Sequence, residues 1–216
     1  MRQIIDPRTI DFSAWHGGIS TTEEERGEWN NMYSAERTRS LNGYLDRPCD
    51  GEIKYLLPFM RQIQGPSLEL ASGAMRIMMQ LALHGYEVHG IEGSPHMIEL
   101  GQKKIATLPP EVQRRIHVIQ GDMRDFSLGR TFGLIMIPFD SLWHNLNEIG
   151  AEQCIMAILK HLAPGGIFLI DTPKFDEKAY WWETIKEKFG LALRTETCTH
   201  GPFHQAEMLV GSKKTK

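Results

Sequence analysis

Beyond Ser67, short runs rich in apolar and β-branched residues alternate with longer stretches in which apolar residues recur every three or four positions. The short runs, Ser67–Ala71, Glu87–Glu92, Ile116–Gln120, Phe132–Ile137 and Ile167–Asp171, predict strands. The longer stretches, at about 75–84, 95–107 and 148–162, predict helices between them. Strands joined by helical crossovers pair in parallel, because a parallel connection needs a long return path. After a further predicted helix at 176–189, Leu191–Cys198 and Gln205–Gly211 both read as strands, and only a short loop with Gly201-Pro202 links them. A link that short permits only an antiparallel pair. The expected architecture is α/β: a doubly wound, seven-stranded, mostly parallel sheet ending in an antiparallel C-terminal hairpin.

Residues 1–65 differ in texture. They are polar and dotted with aromatics (Phe12, Trp15, Trp29, Tyr33, Tyr44), without strand-like runs. Ser20-Thr21-Thr22-Glu23-Glu24-Glu25 offers a helix N-cap followed by carboxylates, and Trp29, Met32 and Tyr33 then form one apolar face. A second helix is expected over Gly51–Gln64, with Ile53, Leu56, Leu57 and Met60 on one side. The chain therefore divides into an N-terminal helical segment (1–65) and an α/β domain (66–216).

Bulk properties narrow the partners. Lysine plus arginine number 24 against 27 acidic residues, a net charge of −3, which supplies no electrostatic footprint for nucleic acid. No stretch approaches the ~18 apolar residues of a membrane span, and Met1–Ser13 has no signal-peptide core. Cys49, Cys154 and Cys198 are widely spaced and match no metal pattern. A soluble, cytoplasmic protein without a metal is the expectation, since free thiols suit a reducing compartment.

Candidate chemistry gathers in Ser67–Met97. A strand, a tight turn on Gly73, a helix and a second strand end in Glu92, about 20 positions beyond the turn, an arrangement suited to the ribose of an adenosine-containing cofactor. With the terminal hairpin, this unit resembles class I S-adenosylmethionine-dependent methyltransferases. The family's first strand ends in an acid followed by three alternating glycines. Here Glu69 and Gly73 match, while Ala71 and Met75 replace the flanking glycines. The resemblance implies that Glu92 binds ribose, with Gly93-Ser94-Pro95 opening the next helix. It also implies that Asp122, in Gly121-Asp122-Met123, contacts the adenine amine. Pro138, in Ile137-Pro138-Phe139-Asp140-Ser141-Leu142, would lie in the loop under the transferable methyl, and Leu162-Ala163-Pro164-Gly165-Gly166 would form the turn before the fifth strand. The resemblance spans roughly residues 40–212.

A nicotinamide fingerprint would read Ala71, Gly73, Arg76, also one glycine of three. Arg76 suits close packing poorly, and the hairpin replaces the second parallel half of a dinucleotide domain. Methyl transfer from S-adenosylmethionine to a small organic acceptor is the preferred expectation. A catalytically silent methyltransferase-like binding or regulatory protein is the alternative, and a nicotinamide oxidoreductase ranks third. Methyl transfer needs in-line positioning, and a base only where the acceptor keeps its proton. His144 and Asp140 are the candidate base and orienting group. Trp143, Tyr33 and Tyr44 are candidate acceptor contacts, Tyr33 and Tyr44 acting from a lid over the strand ends. His16, His200 and His204 lie in segments able to fold over the same ends. The aromatic N-terminal helix offers a surface for a homodimer.

Overall fold

A computed structural model describes residues 48–142, 147–171, 179–199 and 205–213. In chain order the elements are α1 (Asp50–Gln62), β1 (Ser67–Leu70), α2 (Arg76–Leu83), β2 (Val88–Glu92), α3 (Pro95–Ile105), α4 (Pro110–Gln113) and β3 (Ile116–Gln120). They continue with β4 (Phe132–Ile137), α5 (Glu148–His161), β5 (Leu162–Asp171), α6 (Ala179–Phe189), β6 (Leu191–Thr199) and β7 (Gln205–Lys213). The strands form a seven-stranded sheet in the order β3-β2-β1-β4-β5-β7-β6. The pairs from β3 to β5 are parallel, and β7 runs antiparallel to both β5 and β6. The expected sheet and terminal hairpin are both present.

Side-chain alternation sorts the core onto two faces. Leu68, Leu70, Ile135, Ile137, Phe168 and Ile170 meet α5 and α6 through Cys154, Ile155, Ile158, Trp182 and Ile185. Leu134, Met136, Leu169 and Val88 meet α1, α2 and α3 through Ile53, Leu56, Met60, Met78, Leu81 and Ile98. The central strands are apolar on both faces, as parallel strands buried between helices must be. The helix expected over Gly51–Gln64 is α1, and its apolar stripe joins the second of these clusters. Residues 1–47, including Trp29, Tyr33 and Tyr44, lie outside the described residues.

One expectation changes. Leu162–Gly166, read as a turn, belongs to β5: Phe132 pairs with Leu162 and Leu134 with Ile167, so the extra residues bulge out within a continuous strand. Gly165 supplies the positive φ of 72° that the bulge requires. Sequence periodicity cannot distinguish such a bulge from a turn, since both want Pro-Gly-Gly.

The order reverses between β1 and β4: from β1 the chain winds outward to β2 and β3, then returns to β4 on the other side. Open α/β sheets bind ligands at the carboxyl ends of the strands flanking such a switch point.

Candidate functional site

Each of the five parallel strands carries a carboxylate at or just beyond its carboxyl end: Glu69 on β1, Glu92 on β2, Asp122 after β3, Asp140 after β4 and Asp171 on β5. The same rim concentrates backbone strain. Among the described residues, Ala71, Met75, Phe139 and Asp140 are the non-glycine residues with positive φ (54°, 59°, 58° and 56°). All four follow β1 or β4, the switch-point strands. Left-handed backbone costs an L-residue about 1–2 kcal/mol, and such strain gathers where the surroundings impose a shape for a ligand.

The glycine turn therefore keeps its shape without its glycines. Ala71 and Met75 adopt left-handed angles alongside Gly73, whose φ is 54°. The cost of Ala71 is conformational, beyond the single methyl that the sequence suggests. Ala71→Gly is accordingly expected to raise stability by about 1 kcal/mol, the relieved strain less the entropy of the more flexible unfolded chain, measurable by urea denaturation. The Met75 side chain turns away from the rim and is fully buried. A Cβ added to Gly101 of α3 would meet Met75 Sδ at about 1.7 Å, so the thioether fills the space that Gly101 leaves.

Glu92 ties this turn to the next. Its Oε2 accepts the Gly73 N–H at 2.7 Å and its Oε1 the Ser94 N–H at 2.8 Å. Burial pushes its carboxyl upward from the ordinary range, and hydrogen bonds from the Ser94, Gly73 and Gly93 backbones oppose that shift. Ser94 then caps α3, its Oγ accepting the Met97 N–H at 3.3 Å, with Pro95 in the first turn.

Glu69 lies beneath the head of α2 and is 2% exposed. It accepts the Met78 backbone N–H, serving a helix whose N-cap, Met75, provides no side-chain cap. Burial raises its carboxyl to about 8, against the lowering pull of Arg76, while Glu92 raises it further. Its Oε2 is buried without a hydrogen-bond partner. Because the proton is retained in the folded state, the native protein binds more protons than the unfolded chain between about pH 4.5 and pH 8. Stability from this group is full below about pH 4.5 and drains away as pH rises towards about pH 8. Glu69→Gln, which does not titrate, should match or exceed the wild type near neutrality yet lose that advantage in acid. Thermal unfolding of both proteins across this range checks the sign.

Asp122 is engaged by Arg124, whose Nε and Nη2 both donate to Oδ2, at 3.0 and 2.7 Å, while Nε at 3.1 Å and the Arg124 backbone N–H at 2.8 Å reach Oδ1. Met123 is buried in the core beneath α5 and α6. Pro138-Phe139-Asp140-Ser141 forms a tight turn with two consecutive left-handed residues, closed by Ser141 N–H to the Pro138 carbonyl at 3.3 Å. That is the backbone pattern of a type I′ turn. Asp140 is half-buried at its apex. His144 and Trp143 fall outside the described residues, as do His16, His200 and His204.

Sequence reasoning missed three supporting residues. Asp171 accepts the Phe139 N–H at 3.0 Å and so holds the strained β4 turn from the neighbouring strand. Arg76, discounted as bulky, lies 4.4 Å above the Phe139 ring and 3.7 Å from Glu52, linking α2, α1 and that turn. Arg124 fixes Asp122. Asp171 was findable as the acid ending the fifth strand; the other two depend on contacts no spacing reveals. The buried carboxyl pair around Gly73, with one oxygen unpartnered, fits a ligand bringing hydroxyls and a cationic group.

Residues 68–166 match the family model described as a methyltransferase domain. That stretch, a little under half of the chain, is similar to methyltransferase domains. Among curated relatives, YqeM of Bacillus subtilis (strain 168) is 31% identical over 109 residues, 50% of this chain and 42% of that protein. The dTDP-3-amino-3,6-dideoxy-alpha-D-glucopyranose N,N-dimethyltransferase of Streptomyces fradiae is 28% identical over 115 residues, 53% of this chain and 39% of that enzyme. The matched stretch thus spans less than half of either relative. Among solved structures, magnesium protoporphyrin IX methyltransferase from Synechocystis PCC 6803 with bound S-adenosylmethionine superposes with a TM-score of 0.70 at 16% identity, over 91% of this chain and 100% of that one. The glycopeptide N-methyltransferase MtfA gives 0.68 at 19% identity, over 78% and 92%. Among the described residues, no helix is long and apolar enough to cross a membrane.

Proposed function

We propose that the chain transfers the methyl group of S-adenosylmethionine to a small organic acceptor. The observation that carries this reading is Glu92, buried at the carboxyl end of β2, next to β1, and braced by the Gly73 and Ser94 amides. A carboxylate held in this way presents its remaining lone pairs to sugar hydroxyls at no cost in side-chain ordering. The cofactor, when bound, supplies a methyl on a sulfonium and thus a leaving group that needs no acid. Glu92 would hold the ribose, the Gly73 turn would lie along the amino-acid portion, and the unpartnered Oε2 of the protonated Glu69 would accept a hydrogen bond from its ammonium group. Asp122, steadied by Arg124, would receive the adenine amine, with Gly93 and Met123 on either side. Pro138 and Asp140, in the strained turn braced by Asp171, would shape the floor beneath the methyl. Ala71 keeps the backbone turn open for this approach.

The names of the amino-sugar N,N-dimethyltransferases from Streptomyces fradiae and Streptomyces venezuelae support an amine as the first acceptor class to test. An ammonium must lose its proton before attack, which gives Asp140 or His144 its task. Residues 1–65 would cover the acceptor, with Tyr33, Tyr44 and Trp143 against it. The work would lie in the cytoplasm, without nucleic acid or membrane as partner, and the aromatic residues of the N-terminal segment would provide the contact for a homodimer.

Titration calorimetry with S-adenosylhomocysteine tests the cofactor directly. Saturable binding is expected, and its absence at about 1 mM ligand, where even a weak site of about −4 kcal/mol fills halfway, would overturn the proposal. Transfer of labelled methyl to a panel of small amines, hydroxyls and thiols then identifies the acceptor class.

A further inference from the structure

At the opposite end of the sheet from the methyltransferase rim, three potential metal ligands share one face. His89 and His117 are register partners on β2 and β3, and Glu87 lies two residues before His89, so all three point to the same side. One ligand atom from each lies within 4.8 Å of the others. Glu87 Oε1 is 2.9 Å from His89 Nε2 and 3.9 Å from His117 Nε2. Two donors bound to one tetrahedral zinc ion at about 2.0–2.1 Å each stand about 3.3 Å apart, between those two values. The imidazoles stack with centroids 4.5 Å apart and planes inclined by 26°, and the Phe132 ring braces His89 from the side at 5.3 Å. The buried His89 is therefore fixed, and His117 beside it is half-buried.

Arg130 supplies the second observation. Its Nη1 lies 3.1 Å from Glu87 Oε1 and 3.1 Å from His89 Nε2, on the side where their lone pairs converge. These contacts conflict. If Nε2 carries a proton it serves Glu87 but faces an N–H of Arg130. If it carries a lone pair it serves Arg130 but faces a carboxylate oxygen. No protonation state of the ring satisfies both neighbours. A metal ion in place of the guanidinium does, accepting a lone pair from Nε2 and another from Oε1. Arg130 is exposed and can swing into solvent.

We propose that Glu87, His89 and His117 form a binding site for a divalent transition ion of the zinc, cobalt or nickel type, with the Arg130 guanidinium as the resident cation that the metal displaces. Imidazole nitrogen with one carboxylate suits these ions and leaves a fourth position for water. The site clamps the starts of β2 and β3, three residues and about 10 Å from Glu92 along β2. It does not rest on the proposed function.

The test is titration of the full chain, free of any histidine tag, with zinc chloride by calorimetry and with cobalt chloride by visible absorbance. One ion per chain is expected, with the intense absorption of tetrahedral cobalt. His117→Ala and Glu87→Gln should each weaken binding at least tenfold, and Glu87→Gln, a change at an exposed position, should leave the unfolding midpoint nearly unmoved. Arg130→Ala should strengthen it severalfold. The assignment is overturned if the wild type fails to bind, or if binding survives in both ligand variants, which would place the ion on other histidines or thiols. Unchanged affinity in Arg130→Ala would overturn the role given to the guanidinium.

Discussion

Glu92→Ala should weaken S-adenosylhomocysteine binding by about 10- to 150-fold, the equivalent of about 1.5–3 kcal/mol for losing hydrogen bonds to a charged acceptor. The same substitution strands the Gly73 and Ser94 amides, which the carboxylate oxygens now satisfy at 2.7 and 2.8 Å. The variant should therefore unfold more readily as well, by about 1–3 kcal/mol for buried donors left without acceptors. Calorimetric titration at a temperature well below the lowered unfolding midpoint separates the two effects. Glu92→Gln sharpens the distinction. It keeps the volume and one acceptor oxygen, but turns an NH2 towards an amide that needs an acceptor. An affinity between those of the wild type and the alanine variant is expected. Unchanged affinity in both variants would mean that the ribose is held elsewhere, even if the fold stands.

How much of this was legible in the sequence depends on the distance over which each residue acts. Strand periods and crossover lengths are local, and they gave β3 and β4 to the residue and the hairpin with its direction. The acids at the strand ends were also legible, because strand ends are local features and Gly73, Glu92 and Asp122 sit at fixed offsets from them. What each acid does in the fold was not. Glu92 looks like a free ribose acceptor in the sequence, yet it is already a tie between two loops. Asp122 reads as an adenine contact, yet Arg124 two residues on claims both its oxygens. Asp171 is 32 residues from Phe139 in sequence, and the hydrogen bond between them forms only when β4 and β5 pair. The Leu162–Gly166 bulge misleads for a related reason: its residues satisfy turn chemistry, and only the register with Phe132 and Leu134 shows that the strand continues.

The missing third glycine shows this limit most fully and carries the second large prediction. In the sequence, Met75 reads as a defect in the cofactor turn. In the fold it is one half of a complementary pair, its side chain entirely buried and lying where a Gly101 side chain would be. The glycine that lets α2 and α3 approach has moved from the turn to the neighbouring helix, 26 positions away. Gly101→Ala should therefore destabilise the domain by about 1–3 kcal/mol, the usual cost of forcing volume into a filled core, despite alanine's better helix propensity. The Ala74 backbone carbon, 3.1 Å from the added Cβ, blocks escape in that direction, so Met75 itself must leave its rotamer. Shortening Met75 in the same chain supplies the room. Met75→Ala alone should also destabilise, by about 2–5 kcal/mol for a cavity at a buried methionine. Combined with Gly101→Ala, part of that cavity fills and the overpacking disappears, so the double variant should be more stable than the sum of the single losses by about 1 kcal/mol or more. Urea unfolding of the four proteins completes the cycle. Strict additivity would show that Met75 and Gly101 do not share one space, and the degenerate turn would again be a loss without compensation.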